Sequence, residues 1–216
     1  MSNESLLSSK DVLNDQQAHW EKIYGEKKPD EVSWYQENPA MSLEIIQRVV
    51  PKTGRIIDIG GGASRLVDAL LGAGYQNVSV LDISGRALEY ARERLGSLAE
   101  KVSWREADVT TFAPGQAYDV WHDRAVFHFL TEEPDREKYR AALKRALPVG
   151  GHVVLAAFAL EGPEKCSGLP VRRYDAVLVA QEFAGDFELL DQDSETHRTP
   201  WNTEQRFNYF LLKRVR

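Results

Sequence analysis

RIIDIGGGAS, running from Arg55 to Ser64, decides the fold of this 216-residue chain. Ile56, Ile57 and Ile59 are β-branched residues of strand type, interrupted by one acid, Asp58. They run directly into Gly60, Gly61 and Gly62, and a helix-like segment follows from Ser64 to Leu71. The spacing predicts a strand, a tight turn and a helix start. Glycine in such a turn can take positive φ and lets a ligand approach the backbone, while the helix start offers unpaired N–H groups. This is a nucleotide-type pocket.

The residues after the glycines narrow the nucleotide. A dinucleotide fingerprint G-x-G-x-x-G needs a third glycine, whereas Ser64 and Arg65 follow here, so an NAD-linked oxidoreductase is disfavoured. What is present is D-x-G-x-G-x-S, from Asp58 to Ser64, which resembles motif I of the class I S-adenosylmethionine (SAM) dependent methyltransferases. The resemblance implies SAM as cofactor, S-adenosylhomocysteine (SAH) as product, and Asp58, Gly60 and Gly62 among the cofactor-binding residues.

Downstream strands agree. VSVLD, from Val78 to Asp82, reads as a second buried strand one crossover away, and a right-handed crossover sets it parallel to the first. A carboxylate at its end can accept both hydroxyls of a ribose, which makes Asp82 the ribose candidate; the alternative is an N-cap for the helix from Gly85 to Arg94. A third strand, Val102 to Glu106, leads into Asp108 and Val109. The resemblance puts Asp108 on the adenine amino group, with Ile83 over the ring and Val109 beside it. Asp108 and Thr110 could instead cap a turn.

The fourth strand, Ala117 to His122, ends in HDRAVFHFL, from His122 to Leu130. Ligands of open α/β sheets sit beyond the carboxyl ends of the strands, so Asp123 and His128 are the catalytic candidates. Asp123 would orient substrate or the sulfonium end of the cofactor, and His128 has the chemistry of a general base near neutrality. Their alternatives are a helix-capping Asp and a buried, backbone-satisfied His. The stretch from Asp123 to Leu130 also looks like the D-K-G-x-x-D-A-L segment of methyltransferases acting on protein lysines, with Arg124, Ala125 and His128 departing from it. Phe127 is a substrate-side candidate.

Outside this core, Asp15 to Tyr24 carries Ala18, Trp20, Ile23 and Tyr24 at helical spacing and reads as a lid helix, after a polar stretch over 1–14 expected to be loosely ordered. VSWYQENP follows, then an amphipathic helix from Ser42 to Val50 ended by Pro51. The resemblance implies that Trp20, Tyr24 and Trp34 lie over the cofactor and Tyr35 over the substrate. Aromatic faces attract a sulfonium and exclude water, although aromatics at helical spacing also serve as plain core.

Toward the C-terminus, LPVGGHVVLAAF, from Leu147 to Phe158, reads as a glycine turn into a fifth strand, while Phe187 to Leu190 and Phe207 to Lys213 read as a terminal antiparallel pair. The fold implied is a three-layer α/β/α Rossmann-like methyltransferase with a seven-stranded sheet ordered 3-2-1-4-5-7-6 and strand 7 antiparallel. Residues 1–50 would be an N-terminal helical extension and 51–216 the SAM-binding domain. Two loop-rich stretches, EGPEKCSGLPVRRYDA and ETHRTPWNTEQ, are expected to shape the acceptor pocket through Arg172 and Tyr174.

Composition sets limits. A hydrophobic fraction of 43% and a charged fraction of 28% fit an ordinary globular domain. A net charge of −6 argues against nucleic acid as a partner. The longest apolar run, Val153 to Leu160, falls short of the roughly 20 residues a membrane helix needs. No secretory signal precedes the domain, so a cytoplasmic protein, monomer or homodimer, is expected. The single Cys166 excludes an intrachain disulfide, and the five His show no metal-ligand spacing. The reading is direct in-line methyl transfer to a small molecule, a thiol or other soft nucleophile; a protein lysine acceptor and a non-catalytic SAM-binding protein are the alternatives.

Overall fold

The computed structural model describes residues 9–216, with side chains from Asp15 onward. Seven strands form one sheet: β1 (Arg55–Ile59), β2 (Asn77–Asp82), β3 (Val102–Glu106), β4 (Val120–Arg124), β5 (His152–Phe158), β6 (Phe187–Arg198) and β7 (Glu204–Arg214). Their order is β3-β2-β1-β4-β5-β7-β6. Strands β1 to β5 run parallel, and β7 pairs antiparallel with both β5 and β6. The expected order and the single antiparallel strand are both present.

The chain leaves β1 toward β2 and β3, then returns to the other side of β1 to make β4. That reversal opens a crevice at the carboxyl ends of β1 and β4, where ligands of this sheet type bind. Alternation along each strand distributes side chains to the two faces. Ile57, Ile59 and Trp121 pack with Tyr139 and Leu143 of helix α5 (Glu133–Ala146) and Phe183 just beyond α6 (Ala176–Glu182). On the other face Ile56, Val80 and Val120 pack against α2 (Ala40–Val49), α3 (Leu66–Gly72) and α4 (Gly85–Leu95). Helix α1 (Ser9–Glu26) packs on α4 outside these layers.

Several boundaries differ from expectation. Helix α1 begins at Ser9, so only residues 1–8 of the supposedly loose N-terminus lie outside the described residues. Strand β4 continues through Asp123 and Arg124, and a 3-10 turn, Phe127–Phe129, separates it from α5. The stretch ETHRTPWNTEQ is no long loop: β6 extends to Arg198 and β7 starts at Glu204, a paired hairpin in which each added residue satisfies its backbone across the ladder. Part of the other stretch, Lys165–Cys166 with Leu169–Pro170, folds into a small hairpin of its own.

Candidate active site

The glycine turn is tied to the neighbouring strand by Gly60 and Gly61 N–H groups donating to the Leu81 carbonyl, at 2.7 and 3.2 Å. Gly60 sits at φ +66°, and a Cβ there would collide with Val126. Gly62 is required for a different reason. A Cβ on it would lie 2.6 Å from Asp82 Oδ2, the oxygen that accepts the Gly62 N–H at 2.9 Å. Asp82 Oδ1 accepts from Ser84 N–H at 2.9 Å. The cap of α4 is Ser84 itself, whose hydroxyl accepts from Ala87 N–H, so Asp82 is not the N-cap. Burial pushes the Asp82 carboxyl up to about 6 against these two bonds.

Two adjoining cavities open from this turn. The larger, about 240 Å³, runs along the ends of β1, β2 and β4. One wall carries Gly60, Asp82, Ile83, Asp108 and Val109, and the roof carries Trp20, Tyr24 and Trp34. Asp108 Oδ1 accepts from the Thr110 N–H and hydroxyl, both at 2.6 Å, so the turn-capping alternative is met on that oxygen. The far side is closed by Phe129, Cys166, Leu169 and Pro170. Trp20 stands edge-on to Trp34 and Phe129, with centroids 5.6 and 5.2 Å apart, and Trp34 Nε1 donates to Tyr24 Oη at 3.3 Å. His19 meets Ser167 at 3.2 Å, joining α1 to the small hairpin across the chamber.

The smaller cavity holds Asp58, Tyr35, His122 and Ser42. Asp58 and His122 are register partners on β1 and β4, so their side chains share one face. His122 Nδ1 lies 2.7 Å from Asp58 Oδ1 and its Nε2 lies 2.9 Å from Ser42 Oγ. Asp58 Oδ2 is buried with no partner. Tyr35 accepts from Arg65 Nε at 3.1 Å.

Five expectations for site residues are corrected here. Asp123 follows His122 and therefore points to the opposite face, into the α5 layer. Its carboxylate accepts from Val126 and Phe127 N–H groups and, at 2.7 Å, from the Tyr139 hydroxyl. It is a fully buried anchor for the turn after β4, pushed up to about 6 by that burial. His128 is also fully buried, packed on Phe129 and Phe158 with neither ring nitrogen bonded, and burial with the nearby Arg124 charge depresses it to about 3. Burial thus biases the ring toward its neutral form and keeps it off the lining of the chamber. Phe127 and Tyr174 are fully buried core, 5.4 Å apart by ring centroid. Arg172 lies over the Tyr174 ring, 3.9 Å from Glu182, on the α6 side. None of these five lines either cavity.

Sequence reasoning missed Arg124, Phe129, His122 and Ser42. Phe129, His122 and Arg124 were visible as an aromatic and charged cluster at the end of β4. Ser42 gave no signal, because only the packing of α2 on the sheet brings it to His122.

Residues 56–151 match the family described as "Methyltransferase domain". Over that segment, from β1 to the turn before β5, the chain is similar to methyltransferase domains. A mouse (Mus musculus) eEF1A lysine and N-terminal methyltransferase is 26% identical over 148 residues, covering 65% of this chain and 21% of that protein. The chain thus spans about a fifth of the length of that curated relative. Among solved structures, the Burkholderia thailandensis 1,6-didemethyltoxoflavin-N1-methyltransferase, with its substrate and S-adenosylhomocysteine bound, superposes with a TM-score of 0.74 at 16% identity, over 100% of this chain and 94% of that one. A structure reported for the conversion of a disulfide bond into a thioacetal group during echinomycin biosynthesis gives a TM-score of 0.76 at 18% identity, over 92% and 93%. The methyltransferase fold therefore extends well beyond the matched segment, through the hairpin of β6 and β7. Among the described residues, no helix is long and apolar enough to cross a membrane.

Proposed function

We propose that this chain transfers the methyl group of SAM to a small-molecule acceptor, a thiol or other soft nucleophile. The observation that carries the reading is the chamber roofed by Trp20, Tyr24 and Trp34 and bridged from α1 to the small hairpin.

The residues fit SAM. Asp82 and Asp108 stand at the ends of successive strands, Gly62 leaves room where a Cβ would strike Asp82, and Asp58 keeps one buried oxygen unpartnered. In this reading Asp82 holds the ribose hydroxyls, Asp108 Oδ2 takes the adenine amino group, and Ile83 and Val109 cover the ring. Gly60 and Asp58 line the path of the methionine part. When bound, SAM supplies an electrophilic methyl group on a sulfonium. The roof aromatics then exclude water and face that cation, and the chamber holds the acceptor in line with it.

A soft nucleophile follows from what the larger chamber lacks. Its titratable side chains are Asp82 and Asp108 on the nucleoside wall, Arg124, and Tyr24 and Cys166, which burial keeps protonated. No side chain there is free to act as general base, so an acceptor that ionises by itself is favoured. A protein amine is the second reading, favoured by the mouse relative's lysine and N-terminal activity.

Labelled SAM offered with a panel of small thiols, amines and acids beside a cell lysate tests both. Label in low-mass products supports the small-molecule reading, and label in a protein band supports the second. Absence of label with SAM bound would leave a binding protein and overturn both.

A further inference from the structure

Arg124 closes β4 at the seam of the two cavities and lines both. Among the described residues it is the only cation lining the larger one. Two of its donors are committed to the scaffold: Nε donates to the Tyr209 hydroxyl at 3.0 Å and Nη1 to the Trp34 carbonyl at 3.0 Å. The third, Nη2, is buried without an acceptor. Its nearest carboxylate, Glu195, stands 3.9 Å away, and both Glu195 oxygens already accept from Gln36 at 2.9 Å, one of them also from Tyr209 at 3.0 Å. The guanidinium also lies 4.2 Å over the Phe207 ring. Nη2 thus makes no hydrogen bond, and a buried charged donor without one costs free energy until an acceptor meets it.

We propose that Arg124 reads the acceptor, and that the acceptor is a small molecule presenting an anionic group, a thiolate or a carboxylate, to Nη2. The inference rests on the methyl-transfer reading and narrows its substrate class. It also accounts for the absence of a base: an acceptor that enters ionised has no proton to lose. The other titratable groups around Arg124 do not compete for its charge. His197 from β6, His128 from the 3-10 turn and Cys166 from the hairpin are all biased by burial toward their neutral forms, as is Tyr209 from β7. Among the described residues Glu195 is the carboxylate at ion-pair distance, 3.9 Å from Nη2. Arg124 thus offers a preset positive site beside an apolar, aromatic wall of Trp20, Trp34 and Phe129.

Benzoate and its neutral analogue benzamide separate charge from shape. With the protein saturated in SAH, calorimetric titration is expected to give benzoate binding about tenfold tighter than benzamide, the scale of one charge-assisted hydrogen bond. Arg124→Gln should erase that ratio while leaving SAH affinity within about twofold. Glu195→Gln, which removes the competing carboxylate without touching Arg124, should raise the ratio, and it keeps the test open if Arg124→Gln fails to fold. Equal binding of the two probes to the wild type, a ratio that survives in Arg124→Gln, or a ratio unmoved in Glu195→Gln overturns the proposal. A loss of SAH affinity in Arg124→Gln also overturns it and assigns Arg124 to the cofactor. Because these readouts are binding ratios, they fail independently of the labelled-SAM experiment, which tests methyl transfer itself.

Discussion

At the scale of single residues, three buried ionisable groups differ in what they do. Asp82 faces the chamber, and removing it deletes two bonds to backbone N–H groups and the seat proposed for the ribose. Asp82→Ala is expected to weaken SAM binding by about a hundredfold or more, since hydrogen bonds to a charged group contribute roughly 1.5–3 kcal/mol each; titration calorimetry decides, and unchanged affinity would remove Asp82 from the cofactor site. His128 makes the opposite prediction. Its folded-state pKa, about 3, lies below the ordinary 6.5, so its contribution to stability is present above pH 6.5 and is lost as pH falls toward 3. Asp82 and Asp123 are raised to about 6 from 3.8, so their contribution is present below pH 3.8 and is lost as pH rises through 6. His128→Leu should therefore flatten the acid-side fall in stability between pH 6.5 and about 3, measured by denaturant melts, and keep full methyl transfer at neutral pH. A drop in turnover at unchanged SAH affinity would restore His128 to the mechanism.

At the scale of elements, the strand-turn-helix from β1 to α3 was legible because its signals are local: β-branched residues, a run of glycines and helical spacing. Side-chain direction at the end of β4 was not. His122 and Asp123 are adjacent in sequence, yet the pleat sends one to the donor-side cavity and the other into the α5 layer, and only the register with β1 says which goes where. The same alternation hid the contact of His122 with Asp58 and Ser42, whose members come from β1, β4 and α2. Gly62 belongs to this scale as well, because its lack of a Cβ lets the turn approach both Asp82 and Ala87 at the start of α4. Gly62→Ala should lower both stability and SAH affinity, by about 1–3 kcal/mol in stability for a close-packed clash. A variant that melts normally and binds SAH normally would show that the turn yields.

At the scale of the whole molecule, function depends on how peripheral pieces meet over the sheet. Helix α1 and the Trp34 segment are far in sequence from the end of β4 and from the small hairpin, and these pieces converge through His19 with Ser167, Trp20 with Phe129, and Arg124 with the Trp34 carbonyl. Ligand burial beneath them should couple them, so SAH is expected to slow amide hydrogen exchange in α1 and in residues 165–170 together. Protection of the glycine turn alone would mean that the cover does not respond to the cofactor. By itself the sequence made the strand, glycine turn and helix start of β1 and α3 legible, because those signals are local, while the sheet order followed from the family resemblance that the stretch from Asp58 to Ser64 carries. Tertiary structure alone decided which strand-end groups face the chamber, that Asp123 and His128 are buried scaffold, and that Arg124 holds the free donor. Those facts depend on pleat direction, on helix packing and on contacts between segments distant in sequence, and no local pattern encodes them.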